Sequence, residues 1–216
     1  ASGAVNAPML QGADAERANA FVDLAHRLGT LVPQLFDEAL REELALVLQG
    51  ELEGVEAEPF VAALLAGALP LITDRRVTLV NAGAIGRELG VRTAVSRESD
   101  ASPFRAALVV AAGSHRIVGT VLPHGPRIVE IDGFEIDAVA EGTMLVTHHR
   151  DVPGMVGRIG TILGEANVNI STMQVARTTR GGEAIMVLEV DREIPRDVVN
   201  TIARVDGMNA VRLVRV

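Results

Sequence analysis

The stretch His149–Thr172, HRDVPGMVGRIGTILGEANVNIST, decides how the chain is organised. Asp151, Pro153 and Gly154 make a turn that opens a helix, and Asn167–Asn169 closes it ahead of a strand. Glycines at 157, 160 and 164 interrupt that helix. Each costs about 1 kcal/mol relative to alanine, and nothing in helix propensity offsets the sum. Gly157, Thr161 and Gly164 share one face, a stripe without bulk where a ligand or another backbone can come close. Val156, Ile159, Leu163 and Ala166 recur at helical spacing and form the core side. Spacing alone leaves packing and ligand approach equally open.

Working outward from this stretch, the pattern is regular. Met144–His149 reads as a strand, Met155–Ala166 as the glycine-bearing helix, and Asn169–Thr178 and Glu183–Val190 as strands. Pro195–Arg204 is a helix with Val198, Ile202 and Val205 facing inward, and Val211–Val216 is a last strand. The order βαββαβ is that of the ferredoxin-like sandwich, two helices on one face of an antiparallel sheet. In its second strand Ile170 is out of phase with Met173 and Val175, which predicts a bulge near Ser171-Thr172. That strand falls on a sheet edge. The third, EAIMVLEV, is apolar on both faces, so its far face needs cover.

Upstream the chain divides into a linker over 1–11 and a mixed α/β domain over 12–142, ahead of the domain at 143–216. Ala13–Gly29 reads as a helix with Phe21, Val22, Ala25 and Leu28 on its apolar face and Gly29 as its stop. Glu43–Glu53 reads as a strand, Phe60–Leu71 as a helix after Pro59, and Val77–Val80 as a short buried strand. Asn81 is placed to cap a helix over Ala82–Leu89 that ends at Gly90. Two hairpins follow: Ala106–Ala112 with Arg116–Leu122 around Gly113-Ser114, and Arg127–Ile131 with Phe134–Ile136 around Asp132-Gly133.

Composition excludes several chemistries. The chain has no cysteine, hence no disulfide framework, thiolate metal site or cysteine nucleophile. It has no lysine either; all 20 basic side chains are arginine, so Schiff-base chemistry and a P-loop are excluded. A net charge of −8 with few aromatics argues against nucleic acid. The longest apolar run, Phe60–Ile72, is too short to span a bilayer, and no signal peptide is marked, so a cytoplasmic protein is expected. The five histidines show no metal-ligand spacing, so no metal is expected. Asn81–Gly86 departs from G-x-G-x-x-G, which leaves no dinucleotide loop.

One constellation remains. Asp151-x-Pro-Gly at a strand-to-helix turn has a plain reading, in which Pro153 starts the helix and Asp151 satisfies free amides. The sharper reading is a site for a free amino acid. The helix start at Gly154 would take a carboxylate and Asp151 an ammonium, with His149 and Asn169 bracketing them from two strands. Gly157 would keep the pocket short. Arg127 is the one base near the second hairpin that could meet an anion.

These residues resemble a known family. DVPGMVGRIGTILGEANVNISTMQVAR with GGEAIMVLEVD is similar to the ACT domain that closes long-form bacterial D-3-phosphoglycerate dehydrogenase. AVNAP, VTLVNAGAIGRELGV and RIVEIDGFEIDAVAEGTMLV resemble that enzyme's intervening domain, so the likeness covers essentially the whole chain. It implies L-serine as a feedback inhibitor held where two ACT domains meet, with ligand residues mapping onto His149, Asp151 and Asn169. It also implies a homodimer or homotetramer, with catalytic, NAD-binding domains lying outside these 216 residues. No catalytic residue and no NAD site is therefore expected in the chain itself. Two alternatives stay open: the β subunit of an iron–sulfur L-serine dehydratase, and a stand-alone oligomerisation or amino-acid-binding module.

Overall fold

The computed structural model describes residues 13–216, so the linker expected over 1–11 lies outside it. Two sheets carry the architecture. The first has six strands in the order β2-β1-β3-β4-β5-β6: β1 (Glu43–Gly50), β2 (Arg92–Glu98), β3 (Ala106–Ala112), β4 (His115–Leu122), β5 (Gly125–Ile131) and β6 (Phe134–Val139). β1 and β2 run parallel, joined through α2 (Glu58–Ala68) and α3 (Ala82–Glu88), and the remaining pairs are antiparallel. The apolar faces of α1 (Ala13–Leu35) and α2 meet Leu44, Leu46, Leu48, Leu108 and Val110 in one core. Both hairpins stand at the positions their turn residues indicate, with Asp132 and Gly133 at φ of 49° and 83°.

Three expectations fail here, each for a physical reason. Gly29 does not stop α1, which continues to Leu35. A Cβ at Gly29 would stand 2.0 Å from the carbonyl oxygen of Leu64, and one at Gly67 would stand 2.1 Å from that of His26. The two glycines let α1 and α2 cross backbone to backbone, so Gly29 serves packing rather than termination. Val77–Val80 is not a buried strand but a turn, with Val80 97% exposed. Asn81 does not cap α3; its Oδ1 accepts from the Thr78 amide at 2.7 Å and its Nδ2 donates to Arg76 O at 3.0 Å, closing that turn instead.

The second sheet has the order β10-β7-β9-β8, from β7 (Thr143–Arg150), β8 (Ile170–Arg177), β9 (Glu183–Val190) and β10 (Met208–Arg215). With α4 (Met155–Glu165) and α5 (Arg196–Ala203) on one face it is the βαββαβ sandwich. Leu145, Met186 and Leu188 pack under Met155, Ile159, Leu163 and Ile202. Val156, expected in that core, is turned outward, one residue out of phase with the buried set. The register of β8 shifts between Ile170 and Thr172, the bulge its phase break requires. Among the described residues no strand pairs with the outer side of β8.

The opposite face of this sheet packs on the first domain. Met144, Val146, Ile185, Val187 and Val214 join the core built around α1, which is why EAIMVLEV is apolar on both sides. Polar ties fix the contact: the Gln34 side chain exchanges hydrogen bonds with the Arg215 backbone, and the Val139 amide donates to Glu189 Oε1 at 3.0 Å. Arg212 pairs with Asp37. The His148 and Phe134 rings meet in a T-shaped arrangement at a centroid separation of 5.9 Å.

Candidate functional site

The turn after β7 is built by backbone first. The Asp151 amide donates to Gly182 O at 2.8 Å, and the Arg150 amide to Gly207 O at 2.9 Å. Gly154 follows at φ 85°, a left-handed conformation that suits glycine, and begins α4 without a capping side chain. Pro153 and Gly154 are exposed there. Within that first turn the Met155 amide donates to Val152 O at 3.3 Å and the Arg158 amide to Gly154 O at 2.9 Å, and the positive end of the helix dipole lies at this exposed turn.

The side chain of Asp151 turns toward the β8–β9 hairpin. Its Oδ2 accepts from Arg177 Nη1 at 2.8 Å and from the Gly181 amide at 3.1 Å. The Gly181 bond, then the Arg177 guanidinium, hold its carboxyl below the usual carboxylate range, so it stays ionised at neutral pH. Sequence reading finds Asp151 but not Arg177 or the hairpin loop, because positions 26 residues apart meet only once the strands pair.

His149 lies on the helix-facing side of β7 in one row with Ala184 and Arg177. It is only 2% exposed, with Nδ1 facing Thr147 Oγ1 at 3.2 Å. Burial pushes its pKa below the ordinary value of 6.5, so the ring is neutral. Its buried ring leaves Asp151 and Arg177 as the more exposed charged pair beside the turn.

Asn169 is not brought to them. It precedes Ile170, which shares a row with Val190 and Thr143 at the far end of the sheet, about 20 Å along the strands from the His149 row. There Asn169 Nδ2 donates to Asp191 Oδ2 at 2.7 Å. The convergence of helix start, acid and amide expected from the sequence does not form within one chain. The reason is topological: a strand that leaves the C-terminus of α4 starts at the opposite end of the sheet from the helix N-terminus.

The small stripe on α4 is open. A Cβ added at Gly157, Gly160 or Gly164 would meet nothing within 4 Å. Gly154, Gly157 and Thr161 line a shallow groove of about 430 Å³ together with Arg158, Ile162 and Val205. On the same side of the sheet, Val156, Met173 and Val175 are 40%, 43% and 46% exposed. Arg127, expected as an anion contact, is already engaged: Nε donates to Asp137 Oδ1 at 2.6 Å and Nη2 to Asp137 O at 3.0 Å. An anion there would have to displace a carboxylate, a competition invisible before the β5–β6 hairpin is formed. Among the described residues no group of His, Asp and Glu is arranged to hold a metal, and no helix is long and apolar enough to cross a membrane.

A ferredoxin-like domain with an open sheet edge and a glycine-striped helix, packed on a mixed α/β domain, defines a regulatory module of the ACT type. Comparison with known proteins agrees: residues 143–207 match the ACT domain, and residues 17–132 match the D-3-phosphoglycerate dehydrogenase intervening domain. The chain belongs to the D-3-phosphoglycerate dehydrogenase family, as that enzyme's regulatory region. It is 33% identical to D-3-phosphoglycerate dehydrogenase of Bacillus subtilis (strain 168) over 98% of this chain and 41% of the relative. Against the enzyme of Synechocystis sp. the identity is 36%, over 96% of this chain and 38% of the relative. Against that of Methanocaldococcus jannaschii it is 30%, over 99% and 41%. The chain thus spans about two-fifths of the length of the relatives it matches.

Proposed function

We propose that this regulatory region binds L-serine between two copies of its ACT domain, as a feedback signal to the NAD-dependent catalytic domains of a D-3-phosphoglycerate dehydrogenase. The observation that carries this reading is the pairing geometry open to β8. An edge strand offers a row of unpaired N–H and C=O groups, and exposed Met173 and Val175 beside it offer apolar surface. Two β8 edges laid antiparallel about a two-fold axis bring residue 170 of one copy opposite the Arg177 end of the other. Asn169 of the second copy then arrives beside Asp151 and the start of α4. What a single chain keeps about 20 Å apart, a dimer assembles, twice.

In that site Asp151 takes the ligand ammonium, the second copy's Asn169 its polar groups, and the stripe at Gly157 admits only a short side chain. A ligand that spans two subunits favours the paired state, and by linkage it biases attached domains only through its difference in affinity between states. The test is calorimetric titration of L-serine. Hydrogen bonds to charged groups contribute about 1.5–3 kcal/mol, so Asp151→Ala should weaken binding about 10- to 150-fold, and Asn169→Ala somewhat less. Variants that bind as tightly as wild type would show that the site is wrongly assigned. A chain that binds no amino acid would favour an oligomerisation module.

A further inference from the structure

We infer that Arg177 is the carboxylate anchor of this site, so that the Asp151–Arg177 ion pair reads both charged ends of a free α-amino acid. The inference rests on the amino-acid site proposed above and assigns it a residue from the β8–β9 hairpin. Both hydrogen bonds to the Asp151 carboxylate fall on Oδ2, from Arg177 Nη1 at 2.8 Å and the Gly181 amide at 3.1 Å. Oδ1 takes no part in either. The carboxylate is held in place and ionised by the hairpin, with one oxygen left for a ligand ammonium.

The guanidinium is used in the same one-sided way. Nη1 faces Asp151, while Nε and Nη2, which form the side-on fork that matches a carboxylate, take no part in that bond. The Arg177 side chain is 55% exposed and that of Asp151 26%, so the pair stands at the surface rather than sealed in the core. An α-amino acid carries its ammonium and carboxylate on one carbon, and an acid and a fork fixed side by side match that spacing. The helix start is the competing carboxylate partner. It offers about half a positive charge, spread over amides of a glycine-led first turn, against a full charge on Arg177. The Asp151 side chain also turns to the hairpin rather than to α4. Because Arg177 ends β8, the same two-fold pairing that delivers Asn169 of the second copy sets it beside this fork.

The test compares L-serine with L-serinamide, which keeps the ammonium and hydroxymethyl but lacks the carboxylate. Both are measured by competition calorimetry on the purified chain and on Arg177→Gln and Arg177→Lys, with sedimentation confirming unchanged assembly. Arg177→Gln should lose about 10- to 100-fold in serine affinity and bind serinamide as wild type does, while Arg177→Lys recovers part of the loss by keeping the charge without the fork. Serine affinity that is unchanged or improved in Arg177→Gln overturns the assignment. Equal losses for both ligands also overturn it, since Arg177 would then act only by orienting Asp151. Wild-type chain that binds neither ligand defeats the amino-acid site itself, an outcome distinct from these.

Discussion

Replacing Gly29 with alanine adds one methyl group at the point where α1 and α2 cross. Three atoms of the Leu64 backbone lie 2.0, 2.8 and 3.0 Å from the position the Cβ would take. Backbone cannot rotate aside as a side chain can, so the helices must separate by more than an ångström. That displacement opens the core shared by Phe21, Leu24, Leu28 and Phe60. Alanine gains about 1 kcal/mol over glycine in helix propensity. Overpacking of this kind costs about 1–3 kcal/mol and more where backbone is involved, and the separation weakens contacts along both helices. The clash wins, with a net loss of about 2 kcal/mol. For a chain of this size that lowers Tm by about 4–8 °C in thermal unfolding followed by circular dichroism. Gly160→Ala is the internal control: nothing lies within 4 Å of its added methyl, so the propensity gain stands and Tm rises by about 2–4 °C. A Gly29→Ala chain that melts at or above the wild-type temperature would refute the reasoning.

Two further outcomes follow from the packing. Burial lowers the pKa of both His148 and His149, so the folded chain binds fewer protons than the unfolded one below the ordinary value of 6.5. Stability should be level above that pH and fall as pH drops below it; chemical denaturation at constant ionic strength that shows no loss between pH 7 and pH 5 would contradict this. Gly164→Leu places bulk on the open stripe of α4, where an added Cβ meets nothing within 4 Å. It should leave the fold intact and shift sedimentation from dimer toward monomer, and an unchanged dimer would remove the stripe from the interface.

The βαββαβ domain is legible in the sequence because each of its elements has one face to bury, and periodicity records that directly. Even the bulge in β8 is written in the phase break between Ile170 and Met173, and the two-sided burial of β9 in its unbroken apolar run. Elements whose reasons lie elsewhere in the chain are not legible. Gly29 looks like a helix stop until Leu64 is placed against it. β2, RTAVSRE, is a largely exposed edge strand held by its backbone pairing to β1, so its side chains carry little alternation. At the candidate site, Asp151 and the start of α4 are local and readable. Arg177 and Gly181 reach Asp151 only across a hairpin, and Asn169 sits at the other end of the sheet. Residue types mark the candidates; which of them meet is decided by topology.

The central claim is that Asp151 of one copy and Asn169 of another serve the same ligand, and mixing two defective chains tests it most directly. On this account Asp151→Ala and Asn169→Ala chains should each form dimers with no complete site. Unfolded together in equal amounts and refolded, they pair at random, and half of the dimers contain one chain of each kind. Every such mixed dimer has one site with both residues intact and one with neither, so titration with L-serine should show about one quarter of all sites restored to wild-type affinity. If the two residues acted within a single chain, or not at all, the mixture would bind no better than its two components, and the account of a shared site would be contradicted.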